Sequence, residues 1–201
     1  MKLPGEIVFA TNNAHKLKEV REILGSGHVV KSLGEIGCTD DIPETASTLE
    51  GNAMLKARWV KERYGCDCFA DDTGLEVDAL GGEPGVKSAR YAAEMSGKAA
   101  ADHDSAANMR LLLERMDGKE NRSARFRTVI ALIVGDEEYL YEGKVEGSIA
   151  CAPRGNDGFG YDPVFVPEGQ DRSFAEMSAD EKNSLSHRRR ALDAMLGDID
   201  R

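Results

Sequence analysis

The 201-residue chain is short of three things: paired cysteine, positive charge and long apolar runs. Its four cysteines, Cys38, Cys66, Cys68 and Cys151, form no CxxC pair, and a single residue separates Cys66 from Cys68. That spacing does not suggest a zinc site, and free thiols are the simpler reading. No histidine-rich cluster is present either. No apolar stretch approaches the roughly 20 residues that a spanning helix needs. The N-terminus has no leader pattern and reaches a strand-like segment almost at once, so a cytoplasmic protein without membrane contact is expected. Lys and Arg total 26 against 36 Asp and Glu, a net charge of -10. So acidic a chain is not expected to track a nucleic-acid backbone, which calls for a basic face. A small polyanion remains possible wherever a few cations converge. Repeats, low-complexity tracts and clear linkers are also absent.

What is present is globular: 41% of residues are hydrophobic and 31% charged. The length suits one domain, or two lobes sharing one core. Residues 6–11 (EIVFAT) read as a buried first strand. A helix follows over 15–24, with Leu17, Val20 and Leu24 on one face, Asn12 or Asn13 as its cap and Gly25 as its stop. Residues 28–33 are a second strand candidate, and 34–46 read as loop. Ser47 and Glu50 have capping-box spacing for a helix to Tyr64, ended by Gly65. A short strand over 68–71 is expected, then a turn at Thr73-Gly74, then strand or extended chain over 75–80. Residues 81–85 (GGEPG) read as a turn-rich loop, and 103–116 as a helix capped by Asp102. Residues 124–134 and 138–145 form a hairpin turning at Gly135-Asp136. Residues 152–160 are loop, 162–166 extended, and Ser178 with Glu181 boxes the start of a last helical region. Early alternation of strand and helix around a central hairpin indicates an α/β protein with a mixed sheet.

Three segments crowd polar residues at strand ends, where α/β proteins build sites. The first is Thr11-Asn12-Asn13-Ala14-His15-Lys16, a strand running into a helix N-terminus. The helix dipole and Lys16 suit a phosphate, although an ordinary cap with a solvated lysine reads equally from these residues. The glycine spacing of a Walker loop is missing. The second is FADDTGLEVDALGGEPGVKSARYA, residues 69–92. Neighbours on a strand point opposite ways, so only one of Asp71 and Asp72 faces a given pocket, and the other supports it. Such a carboxylate holds Mg²⁺ or accepts a proton from water. Glu44, in the preceding loop, is a second candidate, and oxygen ligands favour Mg²⁺ or Mn²⁺ over zinc. The third is RGNDGFGYDPVF, residues 154–165, followed by EKNSLSHRRRAL, residues 181–192. Glycines beside Phe159 and Tyr161 allow close approach to a planar ligand, while core packing is the plainer role for both rings. On one continuous helix Lys182 and Arg188 would point about 120° apart, so service to one ligand requires a break at 184–186, with Ser186 capping a second helix.

Together these segments resemble the inosine triphosphate pyrophosphatase family, the Ham1/RdgB-like dITP/XTP pyrophosphatases. The resemblance runs in order through IVFATNNAHKLKEV, TLEGNAMLKA, FADDTGLEVDALGGEPGVKSARYA, RGNDGFGYDPVF and FAEMSADEKNSLSHRRRAL. It implies a single pyrophosphatase domain over 1–201. The implied fold is α/β: an elongated mixed β-sheet flanked by helices, in two lobes with the nucleotide cleft between them. A homodimer is also implied. The implied reaction cleaves ITP, dITP or XTP to the monophosphate and pyrophosphate, cleansing the nucleotide pool. By position, Thr11 to Lys16 would bind the triphosphate. Asp72 would be general base or metal ligand, with Glu44 as the other Mg²⁺ ligand, and Thr73 would touch substrate. Phe159, Gly160, Tyr161 and Asp162 would wall the base pocket, with Phe159 stacking on the purine. Lys182 would meet phosphate or base, and His187 and Arg188 would read the 6-oxo edge. Two positions depart from the pattern. Many relatives have glycine where Arg189 stands, and many bacterial members have TGN where this chain has Thr11-Asn12-Asn13. Competing readings are a Maf-like pyrophosphatase acting on dTTP or UTP, a nucleotide sensor without turnover, and an aspartyl-nucleophile phosphatase.

Overall fold

The structure is a computed structural model that describes residues 4–97 and 104–199. The chain divides into two compact units. Unit 1 takes the chain up to Asp72, then Thr128–Gly143, then Arg188 onward, and unit 2 takes Thr73–Arg127 and Lys144–His187. Each unit draws on separate stretches of chain, which is why no linker is visible in the sequence.

In unit 1, β1 (Glu6–Phe9) pairs in parallel with β2 (Val29–Lys31) and with β3 (Cys68–Val77). Helix α1 (Ala14–Leu24) follows β1, and its cap is Asn13, whose side chain accepts the amides of His15 and Lys16. Gly25 ends it at φ 59°, a conformation that costs glycine little. Helix α2 (Leu49–Tyr64) buries Leu49, Asn52, Ala53, Lys56, Ala57 and Val60, a stripe at helical spacing that holds two polar residues. Its cap is Thr48 rather than the expected Ser47: the Thr48 side chain accepts from Gly51, and the start shifts by one residue. The core packs Ile7, Phe9, Val20, Phe69, Ile130, Leu132 and Leu192, with Phe9 and Phe69 stacked 4.6 Å apart.

In unit 2, β3 continues to Val77 and pairs antiparallel with the short β4 (Pro84–Gly85). The expected turn at Thr73-Gly74 does not form. Gly74 instead admits a close neighbour, because a Cβ there would lie 2.6 Å from the Gly85 carbonyl oxygen. Helix α3 (Tyr91–Ser96) precedes α4 (Ser105–Arg115), which Asp104 caps, while the expected cap Asp102 lies outside the described residues. The hairpin of β5 (Ser123–Val134) and β6 (Glu137–Ile149) turns at Gly135-Asp136 as expected. Residues 161–164 form turns rather than the expected extended chain, and β7 (Phe165–Pro167) pairs antiparallel with β6. Helices α5 (Ala179–Leu185) and α6 (His187–Ile199) are separate, with Ser186 in extended backbone between them. The capping box of Ser178 and Glu181 opens α5. The core here joins Leu75, Leu112, Phe126, Tyr161, Phe165 and Phe174. Strand order in the mixed sheet is β2-β1-β3-β5-β6-β7, with β4 on β3. Among the described residues no helix is long and apolar enough to cross a membrane.

Gly74→Ala should lower stability by about 1–3 kcal/mol, the usual cost of forcing a side chain into filled space. Chemical denaturation measures it, and an unchanged midpoint would mean that β4 shifts without penalty.

Candidate active site

Adjacent residues on β3 serve opposite neighbours, as strand alternation requires. Asp71, 1% exposed, accepts from Lys16 at 3.0 Å through one oxygen and from two nitrogens of Arg188 at 3.2 Å through the other. Arg188, also 1% exposed, donates in addition to Glu19 on α1. The result is a chain of alternating charge, Lys16–Asp71–Arg188–Glu19, that leaves α1 and returns to it one turn later. Burial pulls the Asp71 pKa upward, but Lys16, Arg188 and Lys56 outweigh it and hold the group well below the usual carboxylate range. Burial likewise lowers the pKa of Lys16, against the attraction of Asp71.

Asp72 faces α2. Its Oδ2 accepts from Asn52 Nδ2 at 3.1 Å, and its Oδ1 lies 4.0 Å from Lys56 Nζ. Lys56 also donates to Glu44. Asn52 accepts the Ala46 amide at 2.9 Å, which ties the loop carrying Glu44 to the same place. Burial raises the Asp72 pKa, and Glu44 raises it further, although Lys56, Lys16 and Asn52 oppose the shift. Lys56 shows the reverse balance: burial lowers its pKa, but Asp72, Glu44 and Asp71 raise it overall. Two neighbouring aspartates therefore differ in basicity, and Asp72 is the better proton acceptor.

Unit 2 holds a second cluster. Asp162, 2% exposed, accepts from the Phe159 amide and from Lys182 Nζ, both at 2.8 Å. Lys182 lies 4.7 Å from the Phe159 ring centroid. Gly158, at φ 78°, makes room, since a Cβ there would fall 2.3 Å from Asp162 Oδ2. Phe159 itself is half-buried.

The Ham1 family model matches residues 7–198. The chain belongs to the Ham1 family. It is 55% identical to the dITP/XTP pyrophosphatase of Porphyromonas gingivalis, over 96% of each chain. It is 48% identical to that of Bacillus subtilis, over 93% of each. Among solved structures, the Staphylococcus aureus Ham1 protein superposes with a TM-score of 0.85 at 36% identity, over 97% of this chain and 98% of that one. The Coxiella burnetii HAM1 protein gives 0.84 at 38% identity, over 96% and 98%.

In this Ham1-family chain the expected site residues fall into distinct sets. Lys16, Glu44 and Asp72 come together in unit 1, as Phe159, Asp162 and Lys182 do in unit 2. Thr11 steadies the helix start by accepting the Asn13 amide at 3.1 Å, while Asn12, Ala14 and His15 are exposed there. Thr73 and Gly160 are half-buried. Three more of the expected residues have partners within the protein. Tyr161 is a core residue, 5% exposed, with its hydroxyl donating to the Ser88 carbonyl at 2.9 Å. The His187 ring stacks on Phe126 inside unit 2, with centroids 4.7 Å apart. Arg188 is ion-paired with Asp71 and Glu19 in unit 1. The residues that sequence reasoning missed are Glu19, Asn52 and Lys56. Asn52 and Lys56 carried one signal, being polar residues four apart on the apolar stripe of α2.

Asp71→Asn leaves two buried cations without their shared anion, which should cost about 3–5 kcal/mol at pH 7. Because the folded pKa of Asp71 is depressed, its contribution is present above the unfolded value of about 3.9 and fades as pH falls below it. The gap between wild type and variant in urea denaturation should therefore narrow below about pH 4. Equal stability at pH 7 would remove Asp71 from the architecture of the site.

Proposed function

We propose that this chain hydrolyses dITP, ITP and XTP to the nucleoside monophosphate and pyrophosphate. The carrying observation is Asp72: a buried carboxylate of raised pKa, aimed at Lys56 and Glu44 and one residue from the anion that holds Lys16. Water is activated best by a base whose pKa has been drawn toward neutrality. Lys16 and Lys56 supply positive charge for phosphate oxygens. Such cations, beside a carboxylate, fit hydrolysis of a phosphoanhydride better than binding alone, which has no use for a buried base.

Two carboxylates, Glu44 and Asp72, already converge on one cation, the Lys56 ammonium, and their hard oxygen donors suit Mg²⁺ or Mn²⁺. Among the described residues, no group of three or more His, Cys, Asp and Glu side chains is placed to hold a metal. Substrate phosphates would complete the coordination, the usual arrangement for Mg²⁺. When bound, the ion neutralises charge on the phosphate oxygens. Asp72 then holds or deprotonates the attacking water, Asn52 fixes its carboxylate, and Lys16 orients the phosphate chain.

On the base side, Phe159 offers an aromatic face and Lys182 a donor beside it. A donor there favours a 6-oxo purine, whereas the 6-amino group of adenine would bring donor against donor. A homodimer, implied by the family resemblance, and a cytoplasmic setting, expected from the cysteine pattern, belong to the same reading. The four free cysteines agree with a reducing compartment.

Incubation with Mg²⁺ and each of ITP, XTP, dITP, ATP, GTP and dTTP, followed by ion-exchange separation, should give monophosphate and pyrophosphate from the first three. Asp72→Asn should abolish turnover while nucleotide binding persists. Orthophosphate as product, or full turnover by that variant, would sink the reading, and preferred attack on dTTP would favour a Maf-like enzyme. Phe159→Ala should raise KM for ITP about 5- to 100-fold, the usual worth of base–aromatic stacking. An unchanged KM in steady-state kinetics would place the base elsewhere.

A further inference from the structure

Lys56 occupies an unusual position. It lies on the apolar stripe of α2, between Ala53 and Val60, where an aliphatic side chain would pack without penalty. Its side chain is 9% exposed. A buried ammonium is costly unless it is paired, and its paired groups are the two carboxylates read above as the metal site. One contact is made with Glu44 Oε1, and Asp72 Oδ1 lies 4.0 Å away. The scaffold holds those carboxylates from the other side. Asn52, one turn before Lys56, binds the far oxygen of Asp72 and the backbone two residues after Glu44.

We propose that Lys56 is a resident counterion, holding Glu44 and Asp72 together until a divalent cation displaces its ammonium from between them. The proposal rests on reading Glu44 and Asp72 as the metal site. The reasoning is electrostatic and steric. Two carboxylates drawn to one ammonium, one of them buried, repel each other, and one tethered positive charge relieves that repulsion. Mg²⁺ requires carboxylate oxygens at about 2.0–2.1 Å, so an ammonium seated between the same two carboxylates occupies its place and repels it. Entry of the ion therefore demands that Lys56 withdraw, and withdrawal weakens metal binding in the absence of nucleotide. The displaced ammonium, still on its flexible stem, becomes available to a phosphate oxygen. Metal and triphosphate are thereby coupled, because the nucleotide compensates Lys56 for the carboxylates it gives up.

The test is Mn²⁺ binding to the full chain without nucleotide, followed by calorimetry and by the electron paramagnetic resonance of free Mn²⁺. Lys56→Met should bind Mn²⁺ about tenfold tighter than wild type, or more, because a like charge has been removed from the site. Its Tm should be lower than that of wild type in EDTA and should rise further on Mn²⁺ addition. Lys56→Gln, which keeps a polar end, should show the same direction and serves if Lys56→Met does not fold. Glu44→Gln should weaken Mn²⁺ binding in every background. If Glu44→Gln weakens binding but neither Lys56 variant binds more tightly than wild type, the counterion proposal fails while the metal site stands. If Glu44→Gln leaves binding unchanged, the metal site itself is misplaced and the proposal falls with it.

Discussion

A single buried carboxylate, Asp71, organises unit 1. It takes Lys16 from α1 and Arg188 from α6, and Arg188 returns to α1 through Glu19. Three elements far apart in sequence are thereby fixed to one point on β3. Removing either sign of charge would strand the other in a dry interior, where an unpaired ion costs several kcal/mol. The network therefore specifies where α1 and α6 dock against β3 more than it adds net stability. It also fixes Lys16, and with it the start of α1.

One residue further along β3 the chemistry reverses. Asp71 is surrounded by cations and stays acidic, whereas Asp72 is desolvated, lies near Glu44 and has a raised pKa. Strand geometry produces this division of labour, because alternate side chains meet different neighbours. Paired carboxylates whose environments push their pKa values apart are a recurring sign of acid–base chemistry. Asn52 and Lys56 build the environment of Asp72 from a helix stripe that is otherwise apolar.

Unit 2 reaches its arrangement differently, through backbone. Gly158 lets Asp162 come close enough to accept the Phe159 amide, and the same carboxylate oxygen holds Lys182. Ring and ammonium are thus set side by side by one buried anion. Tyr161 and His187, near neighbours in sequence, point into the core instead. The break between α5 and α6 at Ser186 separates Lys182 from Arg188, so that each pairs with a different aspartate.

The sequence alone determined the local elements and the ordered motifs. The cap at Asn13, the glycine stops, the hairpin turn at Gly135 and the box at Ser178 are short-range signals carried by neighbouring residues, and so they were legible. Asp72, Lys16 and Phe159 drew notice because polar residues cluster at strand ends and beside glycines, while Glu44, in a loop, took its place from the family resemblance. Where the signal was non-local, sequence reasoning failed. Gly74 read as a turn because its actual reason, the carbonyl of Gly85, comes eleven residues later. The ion pairs of Arg188 were invisible because nothing nearby announces Glu19 or Asp71 as its partners. Lys56 signalled only its odd place on the apolar stripe of α2, since the carboxylates that compensate its burial come from a loop and a strand on either side of α2 in sequence. Only the tertiary structure decided these pairings, because a buried charge is explained by whatever folding brings within a few ångströms of it, and spacing along the chain does not record that.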